Sequence, residues 1–176
     1  MDDIVKAALQ KWPNVPHCYG WLALDTRGHW YLRDDGSRAT GPFPQVKGSR
    51  IVHEKLREFI QRNYAHDEQG AWFFQNGPQR VYVELEAAPW VWRVLPEPGW
   101  PVRTHTGLSA AAQAAWLDER GRLFLHTQLG LGLVHSMDMG EAAQAVEAGH
   151  WQPGEMPFAE MPARFGYQLT PQPPAV

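Results

Sequence analysis

The stretch Gly70–Val94 constrains the fold most, because apolar and polar side chains alternate in it with the two-residue period of a β-strand. An aromatic run, Trp72-Phe73-Phe74, is a second strand candidate just upstream. The alternating side chains are Val81, Val83 and Leu85 on one side and Tyr82, Glu84 and Glu86 on the other. The stretch therefore predicts a long hairpin with one aliphatic face and an aromatic extension.

Two prolines modify this hairpin. Asn76-Gly77 is the usual signal for a two-residue hairpin turn, but Pro78 follows it and has no N–H for the next ladder bond. This predicts a wider loop over about Gln75–Gln79. Pro89 interrupts the ladder further on, which places Trp90-Val91-Trp92 at a sheet edge or a bend.

Two more hairpins are indicated by turns with aspartate at the first position and glycine at the last. One has the arms Trp21–Leu24 and His29–Leu32 around the turn Asp25–Gly28. The other lies within Ala114–Thr127, around the turn Asp118–Gly121. Both fit a type I turn whose glycine is left-handed. The shared spacing suggests a repeated supersecondary unit, although short turns also converge independently, and both interpretations stay open.

Three segments, residues 2–12, 49–64 and 138–149, have the apolar periodicity and the end signals of helices. In the third, Asp138 and Glu141 resemble a capping box. Residues 34–48 are rich in glycine and proline and predict a surface loop.

Together these elements predict an α+β fold. Antiparallel hairpins would form curved sheet or roll-like layers with two to three flanking helices, and a two-part arrangement with duplicated hairpins is one form of it. The proline-rich segment Leu95–Pro101 is the best linker candidate. We therefore expect a hairpin–helix–hairpin part over residues 1–95 and a hairpin–strand–helix part over 96–170, either separate or in one compact domain. Residues 171–176 are expected to form a disordered tail.

The overall composition excludes several classes of protein. With 176 residues and 44% hydrophobic residues the chain can fold without disulfides or metal, and its one cysteine, Cys18, cannot form an internal disulfide. The net charge of -3 makes nucleic-acid binding an unfavoured function. No apolar run reaches the ~18 residues of a membrane span, and the first residues do not resemble a signal peptide. We expect a cytoplasmic protein with no cofactor and no membrane partner.

Five short segments resemble a proteobacterial family of uncharacterised domains. They are Cys18-Tyr19-Gly20, Gly28-His29-Trp30-Tyr31, the helix carrying Ile51, Leu56 and Phe59, Gly70-Ala71-Trp72-Phe73, and Val81–Val91. The last corresponds to the family pattern valine–glutamate–aspartate–alanine–proline–phenylalanine–valine. The resemblance covers about residues 17–92 and departs from the family at Gln75–Arg80, where a Thr-Pro-x-Glu-type turn is usual. It implies a two-part α+β fold and no established activity.

Catalytic and metal-binding patterns are weak in this chain. A hydrolase with two catalytic carboxylates needs them on opposite sides of a cleft, whereas Glu84 and Glu86 share one face of a strand. Their presence is explained by a sheet face that is exposed to solvent. The histidines lack the spacing of a zinc site. Gly130-Leu131-Gly132 lacks the remaining glycine of a dinucleotide site. We therefore predict no metal and no catalytic residues.

Binding is the favoured function. Trp90 and Trp92 point to the same side of an extended chain, and together with the polar loop they have the composition of a recognition surface. The candidate binding residues are Asn76, Gln79, Arg80, Trp90, Trp92 and His105. Their partner would be another protein, a second copy of the chain or a small ligand. Two alternatives stay open: both tryptophans are buried at the junction of the two parts, or an enzyme has a dispersed site around Arg80 and His105.

Overall fold

The computed structural model describes residues 1–175, which form two compact units. Unit 1 contains Met1–Asp25, His29–Glu86 and the segment from Tyr167 onward, whereas unit 2 contains Thr26–Gly28 and Ala87–Gly166. The predicted division into residues 1–95 and 96–170 as domains stays a prediction, as does the disordered tail. Pro171 is buried, and residue 176 lies outside the described residues.

Unit 1 contains one six-stranded sheet and three helices. In chain order its elements are α1 (Asp3–Lys11), β1 (Cys18–Leu24), β2 (Trp30–Leu32), α2 (Asp35–Thr40), β3 (Ser49–Arg50), α3 (Glu54–Arg62), β4 (Tyr64–His66), β5 (Trp72–Asn76) and β6 (Gln79–Leu85). The strand order is β3-β2-β1-β6-β5-β4. Only β1 and β6 run parallel; the other neighbours are antiparallel.

Unit 2 contains one seven-stranded sheet and two helices. Its elements are β7 (Trp90–Val94), β8 (Val102–Thr104), β9 (Ser109–Ala110), β10 (Ala114–Leu117), β11 (Leu123–Thr127), β12 (Gly130–Val134), α4 (Met139–Glu147), β13 (Gly154–Glu155) and α5 (Met161–Phe165). Short 3₁₀ turns lie at Ser136–Asp138 and Phe158–Glu160. The strand order is β13-β10-β11-β12-β7-β8-β9, with β7 parallel to β12 and β10 parallel to β13.

The two sheets repeat one topology. Six strands of unit 2 follow the order of unit 1 when β7 replaces β1 and β12 replaces β6, and the parallel pair falls at the same place in both. The predicted α+β class with curved sheets in two parts is confirmed. The sheets are mixed rather than purely antiparallel, because β1 pairs in parallel with β6 in unit 1, and β7 with β12 and β10 with β13 in unit 2.

One turn occurs in both units with the same hydrogen bonds, at Asp67–Gly70 in unit 1 and at Asp118–Gly121 in unit 2. In both Asp67–Gly70 and Asp118–Gly121 the aspartate N–H donates to the carbonyl four residues later, and the glycine N–H donates back to the aspartate carbonyl. One carboxylate oxygen, Oδ1, accepts N–H groups from the residues two and four positions on, at 2.8–3.0 Å. The glycines have φ of 76° and 72°, which other residues rarely adopt.

The turns at Asp25 and Asp118 are similar in sequence, but they do not occupy equivalent positions in the two sheets. The turn at Asp25 connects β1 to β2, whereas the turn at Asp118 connects β10 to β11, the counterparts of β4 and β5. The true counterpart of Asp118 is Asp67, and the same offset relates Gly70 to Gly121 and Phe73 to Phe124.

The carboxyl of Asp118 makes unit 2 sensitive to acid. Burial alone raises the pKa of Asp118, but the N–H groups of Arg122 and Arg120 and the Arg122 guanidinium outweigh it and hold the pKa below its usual value. A lowered folded-state pKa stabilises the fold above the unfolded value of about 3.9, and this contribution is lost as the pH falls through the folded pKa. We expect Asp118→Asn to cost about 1.5–3 kcal/mol at pH 7.

Urea unfolding between pH 7 and pH 2 checks this prediction. The difference between the wild type and Asp118→Asn should shrink below about pH 4. The fully exposed Asp3 is the control, and Asp3→Asn should show no such change. A difference for Asp118→Asn that stays constant across the range would contradict the prediction.

The hairpin between β5 and β6 differs from its prediction. Asn76 pairs with Gln79, so the loop has only two residues, Gly77 and Pro78, and the expectation of a wider loop is wrong. Glycine at φ 57° takes the first central position and proline the second, as a type II′ turn allows. Pro78 is therefore outside the ladder and loses no hydrogen bond.

The strand after Pro89 also differs from its prediction. β7 begins directly after Pro89 but lies between β12 and β8, in the middle of its sheet, so the expected edge or bend is wrong. The proline precedes the strand and does not interrupt it.

The loop predicted over residues 34–48 contains α2, and it covers the sheet face that was expected to be solvated. The buried Arg33 guanidinium donates to Glu84 at 2.9 Å and to the Gly41 carbonyl at 2.6 Å. Lys47 lies 3.4 Å from Glu86. Arg33 therefore links the loop to β6, and Lys47 links it to Glu86, the residue that follows β6.

The helix predicted over residues 49–64 begins only at Glu54, where His53 Nδ1 accepts the Leu56 N–H at 3.3 Å. Asp138 does not cap α4. Its carboxylate instead pairs with the Arg93 guanidinium at 2.6 Å, and this pairing outweighs burial to hold the Asp138 pKa below its usual value.

Candidate functional site

Trp90 and Trp92 belong to the core of unit 2. Trp92 is fully buried and its indole N–H donates to the Leu125 carbonyl at 3.0 Å. Trp90 is 5% exposed and donates to the Leu129 carbonyl at 2.7 Å. Both polar atoms are thus satisfied inside the protein. Both rings are therefore buried and present no exposed aromatic patch, while their expected place at the junction of the two parts stays a prediction.

The glycines of the Gly130-Leu131-Gly132 segment make room for these rings. A Cβ at Gly132 would stand 2.7 Å from Trp92 Cδ1 and 2.8 Å from Trp90 Cβ, closer than atoms can pack. A Cβ at Gly130 would make an ordinary contact with the Trp90 ring at 3.6 Å, but the φ of 115° there favours glycine. Packing at Gly132 and backbone conformation at Gly130 therefore explain the two glycines.

His105 also packs against the start of β7. Its Nδ1 accepts the Val91 N–H at 3.2 Å, and its ring lies 5.8 Å from the Trp90 ring. Arg80 belongs to unit 1 and His105 to unit 2, so the dispersed enzyme site stays a prediction.

The remaining predicted residues lie around the β5–β6 hairpin of unit 1. Asn76 is exposed at the turn. The Gln79 amide donates to the Pro16 carbonyl at 2.9 Å and so fixes the entry to β1. Arg80 is half-buried and lies opposite Gln75 in the ladder.

Arg80 lies at the end of a row of three aromatic rings, Phe73, Tyr82 and Tyr19, that contact one another. Its guanidinium carbon lies 4.3 Å from the centre of the Phe73 ring, a cation–π distance. Phe73 pairs with Tyr82 across the strands, and Tyr82 stacks on Tyr19 with ring centres 4.6 Å apart. Period-two alternation on β5 and β6 together with the parallel β1–β6 pairing brings these rings together.

Asp67 connects the row of aromatic rings to the turn at Asp67–Gly70. Its Oδ1 accepts two N–H groups of its own turn, and its Oδ2 accepts the Tyr82 hydroxyl at 3.1 Å. Arg80 in turn donates to the Tyr82 oxygen at 3.4 Å. Asp67, Tyr82 and Tyr19 were not predicted to lie at this site. The Asp-to-Gly spacing of the turn is the signal that could have identified Asp67.

The surroundings shift two pKa values in this region. Burial, aided by Tyr82, raises the pKa of the Tyr19 hydroxyl, so the phenol stays protonated at neutral pH. Burial and the charge of Arg80 lower the pKa of His17. Arg80 is therefore the fixed positive charge of this region at pH 7.

A cleft of 460 Å³ opens beside Arg80 and is lined by His66, Asp67, Glu68, Gln69 and Arg80. Within residues 1–175, no carboxylate lies within 4.0 Å of the Arg80 guanidinium. Arg80 thus has unused donors in a preformed cleft, and its guanidinium lies over the Phe73 ring.

The equivalent place in unit 2 has no arginine at the position of Arg80. Leu131 lies opposite His126 there, as Arg80 lies opposite Gln75 in unit 1. The nearby Arg122 comes from a different position: its guanidinium pairs with Asp118 at 2.7 Å and lies 5.4 Å from the centre of the Phe124 ring and 4.7 Å from that of Phe158. The neighbouring cleft of 620 Å³ is lined by Leu117, Asp118, Glu119, Gly121, Glu155, Met156 and Pro157, with no basic side chain. The cleft of unit 1 therefore has an arginine that the cleft of unit 2 lacks.

A third cleft, of 510 Å³, lies beside Arg33 and Arg38 in unit 1. Arg33 makes three hydrogen bonds to Glu84, Gly41 and Val46. Arg38 lies 5.0 Å from the Trp21 ring centre and 3.5 Å from Asp35. Both arginines therefore have a carboxylate partner, unlike Arg80.

No group of three or more His, Cys, Asp or Glu side chains in the described chain is placed to hold a metal ion. None of the helices in residues 1–175 has the length and apolar character needed to cross a membrane.

Comparison with known proteins gives a family and a fold. No curated protein matches the chain significantly. A crystal structure of a DUF1285 family protein from Silicibacter pomeroyi DSS-3 is similar with a TM-score of 0.51 and 15% identity, over 82% of this chain and 84% of that one. One from Shewanella baltica OS155 has a TM-score of 0.44 and 13% identity, over 70% and 91%. The first likeness concerns the fold alone.

The profile of one family, DUF2944, matches residues 1–172. The description attached to that family reads protein of unknown function (DUF2946). This agrees with the resemblance to an uncharacterised family and extends it from half of the chain to nearly all of it. The chain belongs to the DUF2944 family of proteins of unknown function.

Proposed function

We propose that this protein binds a small ligand without catalysis, and that the cleft beside Arg80 receives an anionic group of that ligand. The observation that carries the proposal is the half-buried Arg80 guanidinium, which lies on Phe73 and has no carboxylate partner within the described residues. That the protein binds another protein or a second copy of the chain stays a prediction.

The geometry favours anion recognition by an arginine. A guanidinium presents its donors in a planar fork that matches a carboxylate or phosphate. Phe73 below and the Tyr82 hydroxyl beside it restrict the side chain before any ligand arrives. Less side-chain entropy is therefore lost on binding than at a free surface arginine.

The side chains around the cleft support binding over catalysis. The Asp67 carboxylate is engaged by its own turn and by Tyr82, so it is not free to act as a base. The lining residues include no serine, threonine or cysteine that could act as a nucleophile.

Arg80→Gln is expected to weaken ligand binding about tenfold or more, because a hydrogen bond to a charged group is worth about 1.5–3 kcal/mol. Calorimetric titration with propionate and with inorganic phosphate checks this and distinguishes the two anions. Arg80→Lys should retain part of the affinity, since it keeps the charge but not the fork.

The exposed Arg103 on β8 provides the matched control, and Arg103→Gln should leave binding unchanged. Urea midpoints of all variants show that they remain folded. Equal affinities for the wild type and Arg80→Gln would show that the anion binds elsewhere.

A further inference from the structure

The Arg80 cleft has two opposite charges that do not pair with each other. Arg80 extends from β6, and Glu68 lies on the turn between β4 and β5. Both line the same 460 Å³ space, yet no ion pair of 4.0 Å or less joins them. Opposite charges separated across a cleft leave both groups open to a ligand.

Glu68 is the negative group that a ligand can use. Asp67, its neighbour, already accepts three hydrogen bonds through its two oxygens. Glu68 is exposed and makes no hydrogen bond or ion pair within residues 1–175. The turn holds it in place through the backbone, because Asp67 bonds the N–H groups on either side of Gly70.

We propose that the ligand of this cleft is a small zwitterion, with its carboxylate bound by Arg80 and its ammonium group bound by Glu68. This rests on the proposed function, and it adds the second charge of the ligand. An ammonium group has three donors and no acceptor, so it needs a carboxylate of this kind, whereas a ligand carboxylate needs the guanidinium fork.

The charges exclude the simpler ligand classes. A dianion would bring its second negative charge against Asp67 and Glu68, and a diamine would bring a positive charge against Arg80. The volume is at the lower end of the range of small-molecule pockets, about 300–1,000 Å³, which suits a ligand of amino-acid size. A zwitterion satisfies both ends without leaving a charge unpaired.

Calorimetric titration of the full chain tests the proposal with L-alanine, β-alanine and γ-aminobutyrate, in which the two charges are separated by increasing distances. Propionate lacks the ammonium group and ethylamine lacks the carboxylate, so they are the matched single-charge probes. We expect at least one zwitterion to bind about tenfold or more tightly than propionate.

Two substitutions separate the contributions. Glu68→Gln should remove the preference for the zwitterion without weakening propionate binding, because it removes only a negative charge from the cleft, whereas Arg80→Gln should weaken the binding of both. Glu58→Gln, at an exposed glutamate of α3, is the control and should change neither. Circular dichroism and urea midpoints confirm that the variants are folded.

The outcomes distinguish the two proposals. If propionate binds as tightly as every zwitterion, or if Glu68→Gln keeps the preference, the zwitterion proposal is wrong while anion binding at Arg80 stands. If Arg80→Gln keeps full binding, or if none of the probes binds the wild type, both proposals are wrong.

Discussion

Arg33→Met is expected to lower the free energy of unfolding by about 3–5 kcal/mol, because it leaves the Glu84 carboxylate buried without its partner. The Arg33 side chain is 4% exposed and that of Glu84 12%. The guanidinium also donates to the Gly41 and Val46 carbonyls, at 2.6 and 3.2 Å. Removing it therefore releases the α2 segment from the sheet as well as the ion pair.

The double variant Arg33→Met with Glu84→Leu separates these contributions. It removes both charges and should recover most of the loss, since a buried ion pair is often replaced by apolar side chains at little cost. Urea unfolding, monitored by tryptophan fluorescence, measures the free energy of unfolding of the wild type, Arg33→Met and the double variant. Arg50 is exposed, and Arg50→Met is the control. A loss below about 1 kcal/mol for Arg33→Met would place this pair with weak surface ion pairs.

Trp92→Ala is the second large effect, also about 3–5 kcal/mol, the usual cost of truncating a buried aromatic side chain. The ring is 0% exposed, and its N–H bonds the Leu125 carbonyl of β11. Truncation opens a cavity beside Gly132, a residue that has no side chain with which to fill it.

The same substitution at an exposed ring is the natural control. Trp12 is 50% exposed at the end of α1, and Trp12→Ala should change the stability by about 0.5 kcal/mol or less. Denaturant midpoints measure both variants, and Trp92→Phe should lie between them. Similar losses for Trp92→Ala and Trp12→Ala would mean that the interior of unit 2 does not depend on this ring.

Local patterns predicted the strands well, because each depends on neighbouring residues. Val83 and Leu85 alternate into the core as the two-residue period requires, with exposures of 0% and 3%. The period could not show that Tyr82, on the opposite face, is buried too. That burial comes from Tyr19 of β1, which the parallel β1–β6 pairing places against it.

Pro78 shows how one position decides a loop. Because it has no N–H, a tight turn centred on Asn76-Gly77 was rejected in favour of a wider loop over about Gln75–Gln79, and a tight turn centred one residue later was not considered. With Gly77 and Pro78 as the central pair, Gln79 takes the ladder position and the proline needs no donor. Hairpin register depends on the whole pair of strands, so a dipeptide signal alone cannot determine it.

The candidate site was predictable only in part. Arg80 could be selected as an arginine beside a turn, but its partners come from other strands. Phe73 lies under it because β5 pairs with β6, and Asp67 is near because its turn joins β4 to β5. Burial of Trp90 and Trp92 depends on Gly132 of β12, and the parallel pairing of β12 with β7 could not be seen in the sequence.

The parallel pair at the same place in both sheets has a consequence for the speed of folding. Turns such as those at Asp67 and Asp118 close their hairpins over a few residues, so those contacts form early. Joining β1 to β6 brings Leu24 to Leu85, and joining β7 to β12 brings Trp90 to Gly132. These distant contacts carry the larger loop-closure entropy. They should therefore set the rate at which each unit reaches its native state.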